Sequence, residues 1–220
     1  EWFIMLTHKL LGSVTDPNPV VFEGAGAYVL LSSATTLNVA APTGASVGDL
    51  LVCGIMCRST ASAPTGWVAA VQITTTNNQR TVIWTKTAVA GDLGVTTGFT
   101  QASSARFLGQ MLAFSKQGGT PAVASTNSLA STSGAVAPVA SVTGEADDQV
   151  AVACGSVIST YTPMTMNFSS EWTQTSPTSG NNIRLAVAYR SVNKDVVTGG
   201  TVTLSPSSNN SWPMVTALLG

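Results

Sequence analysis

The hydrophobic and polar positions of this chain alternate in short runs broken by Gly, Pro, Asn and Ser. From Asp49 the alternation is clean: Leu51, Cys53, Ile55 and Cys57 share one face of a strand, and Val52, Gly54 and Met56 the other. Both faces are apolar, which predicts a central strand covered on both sides. Pro64-Thr-Gly-Trp67 is a turn that delivers a Trp to a strand over Val68 to Thr74, and Asn77-Asn-Gln79 is a hairpin tip before Arg80 to Ala88 returns. In the returning strand Val82 and Trp84 share a face, with Arg80 and Lys86 at its ends reaching solvent. Further strands are expected at Tyr28 to Leu31, Thr36 to Val39, Gly94 to Thr100 and Ala105 to Phe114. Residues 116–135, rich in Gly, Ser, Thr and Ala, have no period and read as a link. Beyond it the pattern predicts strands at Val136 to Val142, Gln149 to Val157, Met164 to Phe168, Trp172 to Thr175, Asn182 to Val192, Val197 to Leu204 and Trp212 to Leu219. No apolar stripe of helical period persists for three turns, so the chain reads as all-β.

The same grammar occurs twice. Asp49-Leu-Leu-Val is answered by Asp148-Gln-Val-Ala-Val-Ala-Cys154, Trp67 by Trp172, Arg80 to Lys86 by Arg184 to Arg190, and Ala105 to Phe114 by Ser211 to Leu219. The fold expected is therefore an antiparallel jelly-roll-like β-sandwich built from two sequence-similar halves, about 35–115 and 135–220. The halves most simply complement each other in one sandwich, with two separate small sandwiches as the alternative. Residues 1–25 form an N-terminal arm and entry strand, and 26–220 the sandwich. Within the arm a strand is expected over Leu6 to Val14, ended by Asp16-Pro-Asn-Pro19.

Charge changes the picture more than length does. Charged residues are only 9% of the chain and the net charge is −1, against about 25% charged in an ordinary globular protein. Nine scattered Lys and Arg offer no field for a phosphate backbone, so nucleic acid is not an expected partner. A surface so poor in charge is expected to be partly covered by other chains. No run approaches the ~20 apolar residues of a membrane span, and the start of the chain does not read as an intact signal peptide. Three cysteines cannot form a full disulfide framework. Cys53 and Cys57 would lie about 13 Å apart along a strand, so all three cysteines are expected as buried thiols.

Asp49-Leu-Leu-Val, Pro64-Thr-Gly-Trp67, Val82-Ile-Trp-Thr-Lys-Thr-Ala88 and the strand ending in Phe114 resemble a pattern of bacteriophage tail and virion structural proteins, as does the opening Leu6-Thr-His-Lys-Leu-Leu-Gly-Ser-Val14. That resemblance implies a β-rich, non-enzymatic, often trimeric component of the extracellular particle, with no catalytic residues and no cofactor. The expected function is capsid decoration or cement, or a head or tail appendage, binding by shape and apolar contact. Its partners would be a homotrimer and other virion proteins. A carbohydrate-binding module of a tail fibre, recognising a host-surface glycan, is one alternative; a secreted filament subunit assembled by strand addition is another. The assembly contact is expected on the arm, at Trp2, Phe3, Ile4, Leu6, Leu10 and Leu11, whose apolar side chains need cover.

Other chemistry is weakly signalled. Gly44-Ala-Ser-Val-Gly48 matches a nucleophile elbow, but a strand follows it, and His8 is the chain's one histidine. Glu145, Asp147 and Asp148 could ligate Ca²⁺ but read as a solvated turn. Trp67, Trp84, Trp172 and Trp212, with Tyr161 and Tyr189, would stack on sugars if they lined an exposed face; the places of Trp67 and Trp172 after turns read instead as core plugs.

Overall fold

The computed structural model describes residues 18–75, 78–131, 134–158, 164–177, 179–180, 183–208 and 212–220. The arm positions Trp2, Phe3, Ile4, Leu6, Leu10 and Leu11, and the entry strand expected over Leu6 to Val14, lie outside the described residues.

The described chain is all-β and antiparallel, with one 3₁₀ turn at Ala90–Asp92. Its first half holds β1 (Val20–Ala25), β2 (Val29–Ala40), β3 (Leu50–Cys57), β4 (Ala61–Ser62), β5 (Val68–Thr74), β6 (Arg80–Thr87) and β7 (Thr96–Lys116). Its second half holds β8 (Val123–Ser131), β9 (Gly134–Pro138), β10 (Gln149–Ile158), β11 (Met164–Phe168), β12 (Thr173–Gln174), β13 (Ser179–Gly180), β14 (Ile183–Val192), β15 (Thr201–Ser208) and β16 (Trp212–Leu219). The five-stranded paths run β1-β7-β3-β6-β5 in the first half and β12-β14-β10-β16-β8 in the second, with β13-β11-β15-β9 as a further sheet.

Two long strands turn corners. Thr96 to Thr100 of β7 pairs with Thr36 to Ala40 of β2, whereas Leu108 to Phe114 pairs with β3. The corner is buckled by the buried Gln101, whose Nε2 donates to the carbonyls of Ala34 (2.8 Å) and Ala105 (3.0 Å) and whose Oε1 accepts from the Arg58 amide (3.3 Å) and the Ser59 hydroxyl (3.3 Å). What the sequence pattern divides into two strands, at Gly94–Thr100 and Ala105–Phe114, is thus one bent strand. The same holds for Tyr28–Leu31 and Thr36–Val39, joined in β2 through register shifts near Ala34.

Alternation now has a physical target. Leu51, Cys53, Ile55 and Cys57 of β3 enter one buried cluster with Leu37, Val39, Phe99 and Phe107, while Leu50, Val52 and Met56 enter another. That second cluster also takes Val150, Val152 and Cys154 of β10, Leu185 and Val187 of β14, and Val215, Ala217 and Leu219 of β16. A third cluster holds Ala151, Ala153, Met166, Ala186, Val202, Trp212 and Met214. The antiparallel sheets pack as a sandwich, as expected: one cluster lies within each half, and the two five-stranded faces pack back to back over the central cluster. Burial of both faces is why β3, β10 and β16 are almost continuously apolar.

Two further expectations change. Residues 123–131 form β8, an edge strand paired with β16, not part of a structureless link. Cys154 is buried, as expected, but the residue that answers Asp49 is Gln149 and not Asp148. Asp49 Oδ2 accepts from the Ser46 amide (2.7 Å), and the matching acceptor in the second half is Gln149 Oε1, bonded to the amides of Glu145 (2.7 Å) and Ala146 (2.9 Å). With Gln149 in the place of Asp49, Cys154 falls opposite Gly54 on the central face. Asp148 sits just before it at φ 58°.

Candidate functional site

The back-to-back packing gives the body two ends. Leu50 pairs with Phe114 and Val20 with Lys116, and the Val20 amide donates to the Asp148 carbonyl (3.0 Å), so the starts of β1, β3 and β10 lie together. Ala122 and Gly220 exchange two backbone hydrogen bonds at the same end. This is the terminal end, where Val20 and Gly220 both lie. At the other end β2 and β7 turn their corners, Arg80 opens β6 opposite Cys57, and Arg184 opens β14 opposite Val157. This is the corner end.

Polar side chains pin the two faces in register near the corner end. Ser156 Oγ accepts from Gln79 Nε2 (2.8 Å) and shares a hydrogen bond with Thr81 Oγ1 (2.5 Å), all three residues being buried. Gln110 Nε2 donates to the carbonyls of Gly26 (3.1 Å) and Thr175 (3.2 Å), and its Oε1 accepts from the Thr175 hydroxyl (3.0 Å). Tyr28 Oη accepts from the Leu185 amide at 3.3 Å, and burial pushes the Tyr28 hydroxyl's pKa up. These bonds satisfy groups whose burial would otherwise cost stability, and they fix how the halves sit on each other.

The charges divide between the ends. Asp49, Asp92, Glu145, Asp147, Asp148 and Asp195 lie in or beside turns of the terminal end, and Glu23 and Glu171 lie toward it, on β1 and ahead of Trp172. Lys86, Lys116, Arg190 and Lys194 share that end. Lys86 Nζ meets Asp92 Oδ1 at 2.6 Å. Partial burial pushes Asp92 up, but hydrogen bonds from Lys86 and from the Val89 amide outweigh it and hold the carboxyl below its ordinary range. The corner end has Arg58, Arg80, Arg106 and Arg184, and among the described residues no carboxylate. Arg184 is 2% exposed; its Nη2 donates to the Pro177 carbonyl and its Nε has no partner. Burial pushes its pKa down.

Sequence reading treats these cations as scattered because they are far apart along the chain; strand register sets Arg58, Arg80 and Arg106 at one end, and packing of the two sheets sets Arg184 at the same end. The signal that could have found them is their place: Arg80 and Arg184 open strands, Arg58 follows one, and Arg106 stands at a corner, while most of the acids sit in the opposite set of turns.

The other sequence-singled residues are placed as follows. Trp67 is buried edge-on against Phe99 (5.2 Å between centroids), and Trp172 is buried with its Nε1 donating to the Gly199 carbonyl (2.8 Å) and the Arg190 guanidinium 5.7 Å from its ring. Trp212 is fully buried and Trp84 half-buried, so these four Trp form no exposed sugar platform. Tyr189 stacks on Phe22 (4.2 Å); Tyr161 and His8 lie outside the described residues. Ser46 of the Gly44–Gly48 turn gives its amide to Asp49. Asp147 Oδ1 accepts from the Lys194 amide (3.0 Å), which ties the acidic turn to its neighbour. Among the described residues no three His, Cys, Asp or Glu side chains gather to hold a metal ion. Cys53, Cys57 and Cys154 are buried free thiols, and burial raises the pKa of each, Cys57 to about 11. A groove of about 310 Å³ opens between β5, β6 and the start of β8, lined by Leu50, Val68, Thr85, Lys86 and Val123 among others. No family model, curated protein or solved structure matches the chain.

Proposed function

We propose that this chain is a non-enzymatic structural component of a virion, a capsid decoration or cement protein or a head or tail appendage, held by shape and apolar contact. The observation that carries the reading is the two-ended body. Two half-sandwiches stack with their central strands in line, and the apolar N-terminal segment joins at one end, through Asn18 and Val20 beside Lys116 and Asp148. Attachment at that end leaves the corner end pointing outward. The arm residues Trp2, Phe3, Ile4, Leu6, Leu10 and Leu11 supply the contact with neighbouring copies, in a homotrimer, or with another virion protein.

The two halves are, in this reading, copies of one jelly-roll-like unit. Supporting it, β1-β7-β3-β6-β5 and β8-β16-β10-β14-β12 follow the same order, and β2-β7-β4 corresponds to β9-β15-β11. Duplication of such a unit, with its back face kept apolar, yields a longer spacer without a second linker. Labelling the protein on intact particles and imaging them tests the location: label on the capsid or tail supports the reading, and particles devoid of label contradict it. The glycan-binding alternative draws support from the arginines of the corner end.

A further inference from the structure

We propose that the arm of a neighbouring copy docks in the groove between β5, β6 and the start of β8, adding a strand there to the free edge of β8. This rests on the reading above, in which the arm makes the contact between copies, and it names the surface that receives the arm. The buried Leu50 and Pro121 and the more open Val68 and Val123 give the groove apolar walls. Val68 is 65% exposed, the most of any large apolar side chain among the described residues. The one charged side chain of the lining, Lys86, is already paired with Asp92, so the groove suits an apolar ligand rather than an ionic one.

The edge of β8 supplies backbone groups beside that apolar pocket. β8 pairs with β16 along one edge and, among the described residues, with no strand along the other. Val123-Ala-Ser-Thr-Asn-Ser-Leu-Ala-Ser131 holds no charge and no proline, the devices that commonly keep an edge strand from pairing with another chain. Asn127 Oδ1 accepts from the Ser128 amide (2.8 Å), so the open stretch that adjoins the groove is Val123 to Thr126.

Three observations select the occupant. Residues 1–17 carry Trp2, Phe3, Ile4, Leu6, Leu10 and Leu11, apolar side chains that match the groove, and the pattern from Leu6 to Val14 suits an added strand. The segment joins the body at the end where the groove lies: Val20 opens β1 opposite Lys116, and Leu50 of the groove opens β3 opposite Phe114. Its point of exit and the groove stand at opposite edges of the sheet β1-β7-β3-β6-β5, about 19 Å apart at ordinary strand spacing. A chain's own arm would have to cross the turns of the terminal end, where the carboxylates gather, whereas a copy set beside β5 brings its arm straight to the groove. A donor at one edge and a receiver at the other make a heterologous contact, which closes into a ring where the rotation allows, in keeping with a homotrimer.

The test uses the full chain with the photo-crosslinker benzoylphenylalanine in place of Val68, assembled from a mixture of isotope-labelled and unlabelled copies. Expected are cross-links from position 68 to residues 1–17 that join a labelled chain to an unlabelled one, and sedimentation of the parent as a closed oligomer. Val68→Glu, at an exposed position, should melt like the parent and weaken assembly at least about tenfold, because docking would bury an unpaired charge. Val136→Glu, similarly exposed at 55% but on β9, should assemble as the parent does. Cross-links confined to one chain, cross-links that miss the arm, a monomeric parent, or parent-like assembly of Val68→Glu overturns the proposal. Deleting residues 1–12 separates the two readings. Assembly lost both on deletion and in Val68→Glu supports both. Assembly kept after deletion overturns the attachment reading and this one with it, whereas assembly lost on deletion but kept in Val68→Glu overturns this one alone.

Discussion

Gly54 of β3 lies directly against Cys154 of β10: a methyl group built on Gly54 would stand 2.5 Å from Cys154 Sγ and 3.1 Å from Val187 Cγ2. The central strands of the two halves approach closely here, where one has no side chain and the other a small one. Gly54→Ala should therefore destabilise the protein by about 1–3 kcal/mol, as overpacking does. Pairing it with Cys154→Ala should recover part of the loss. Urea denaturation of the two single variants and the double variant measures this as a coupling; strictly additive losses would show that the faces do not meet there.

Alkaline pH should weaken the fold through its thiols. Burial raises Cys57 from an ordinary value of 9.0 to about 11, and Cys53 and Cys154 are raised by burial too. In the unfolded chain the thiol loses its proton first, so stability is full below pH 9 and falls as pH rises through the folded-state value. For Cys57 the loss is up to roughly 3 kcal/mol between about pH 9 and 11. Cys57→Ala should flatten that part of a stability-against-pH curve. Thiol labelling without denaturant at neutral pH should be slow at all three cysteines; fast labelling would contradict their burial.

Trp67→Ala and Trp172→Ala should each cost about 3–5 kcal/mol, as large-to-small core changes do. Trp172→Phe separates the polar part, because it keeps most of the ring bulk but loses the hydrogen bond to Gly199. Calorimetric melting of the three variants reads both effects, and near-native melting of either Ala variant would mean that the ring is not a plug.

Gln101→Ala should loosen the β7 corner. The side chain satisfies two carbonyls and accepts from Arg58 and Ser59, so its loss leaves buried groups unpaired at about 1–3 kcal/mol for each one not reached by water. Amide hydrogen exchange at Ala34, Ala102 and Ala105 should quicken more than at β3; uniform protection would rule the buckle out.

Much of this fold is legible in the residues, and the exceptions have physical causes. Val68–Thr74 and Trp212–Leu219 are found to the residue because Gly/Pro turns and a Trp mark their ends. β8 is missed because most of its side chains are exposed, so burial imposes no alternation on Val123-Ala-Ser-Thr-Asn-Ser-Leu-Ala-Ser131. β2 and β7 each read as two strands because small residues, Ser32-Ser33 and Ala102-Ser-Ser104, occupy their corners, where the pattern changes face. The repeat is read one residue out because Asp49 and Asp148 are both Asp, whereas the turn acceptor that sets the register is an Asp in one half and a Gln in the other. The arginines of the corner end are invisible along the chain, since Arg80, Arg106 and Arg184 lie on three strands and Arg58 follows a fourth, set at one end by strand pairing and by packing of the two sheets.

The central claim, that the protein attaches by its terminal end through the arm, is tested most directly by the mass in solution of a chain lacking residues 1–12, together with its retention on particles. The account predicts a chain that melts like the parent but sediments as a smaller species and washes off particles. A truncated chain that assembles and stays bound as the full chain does would contradict it.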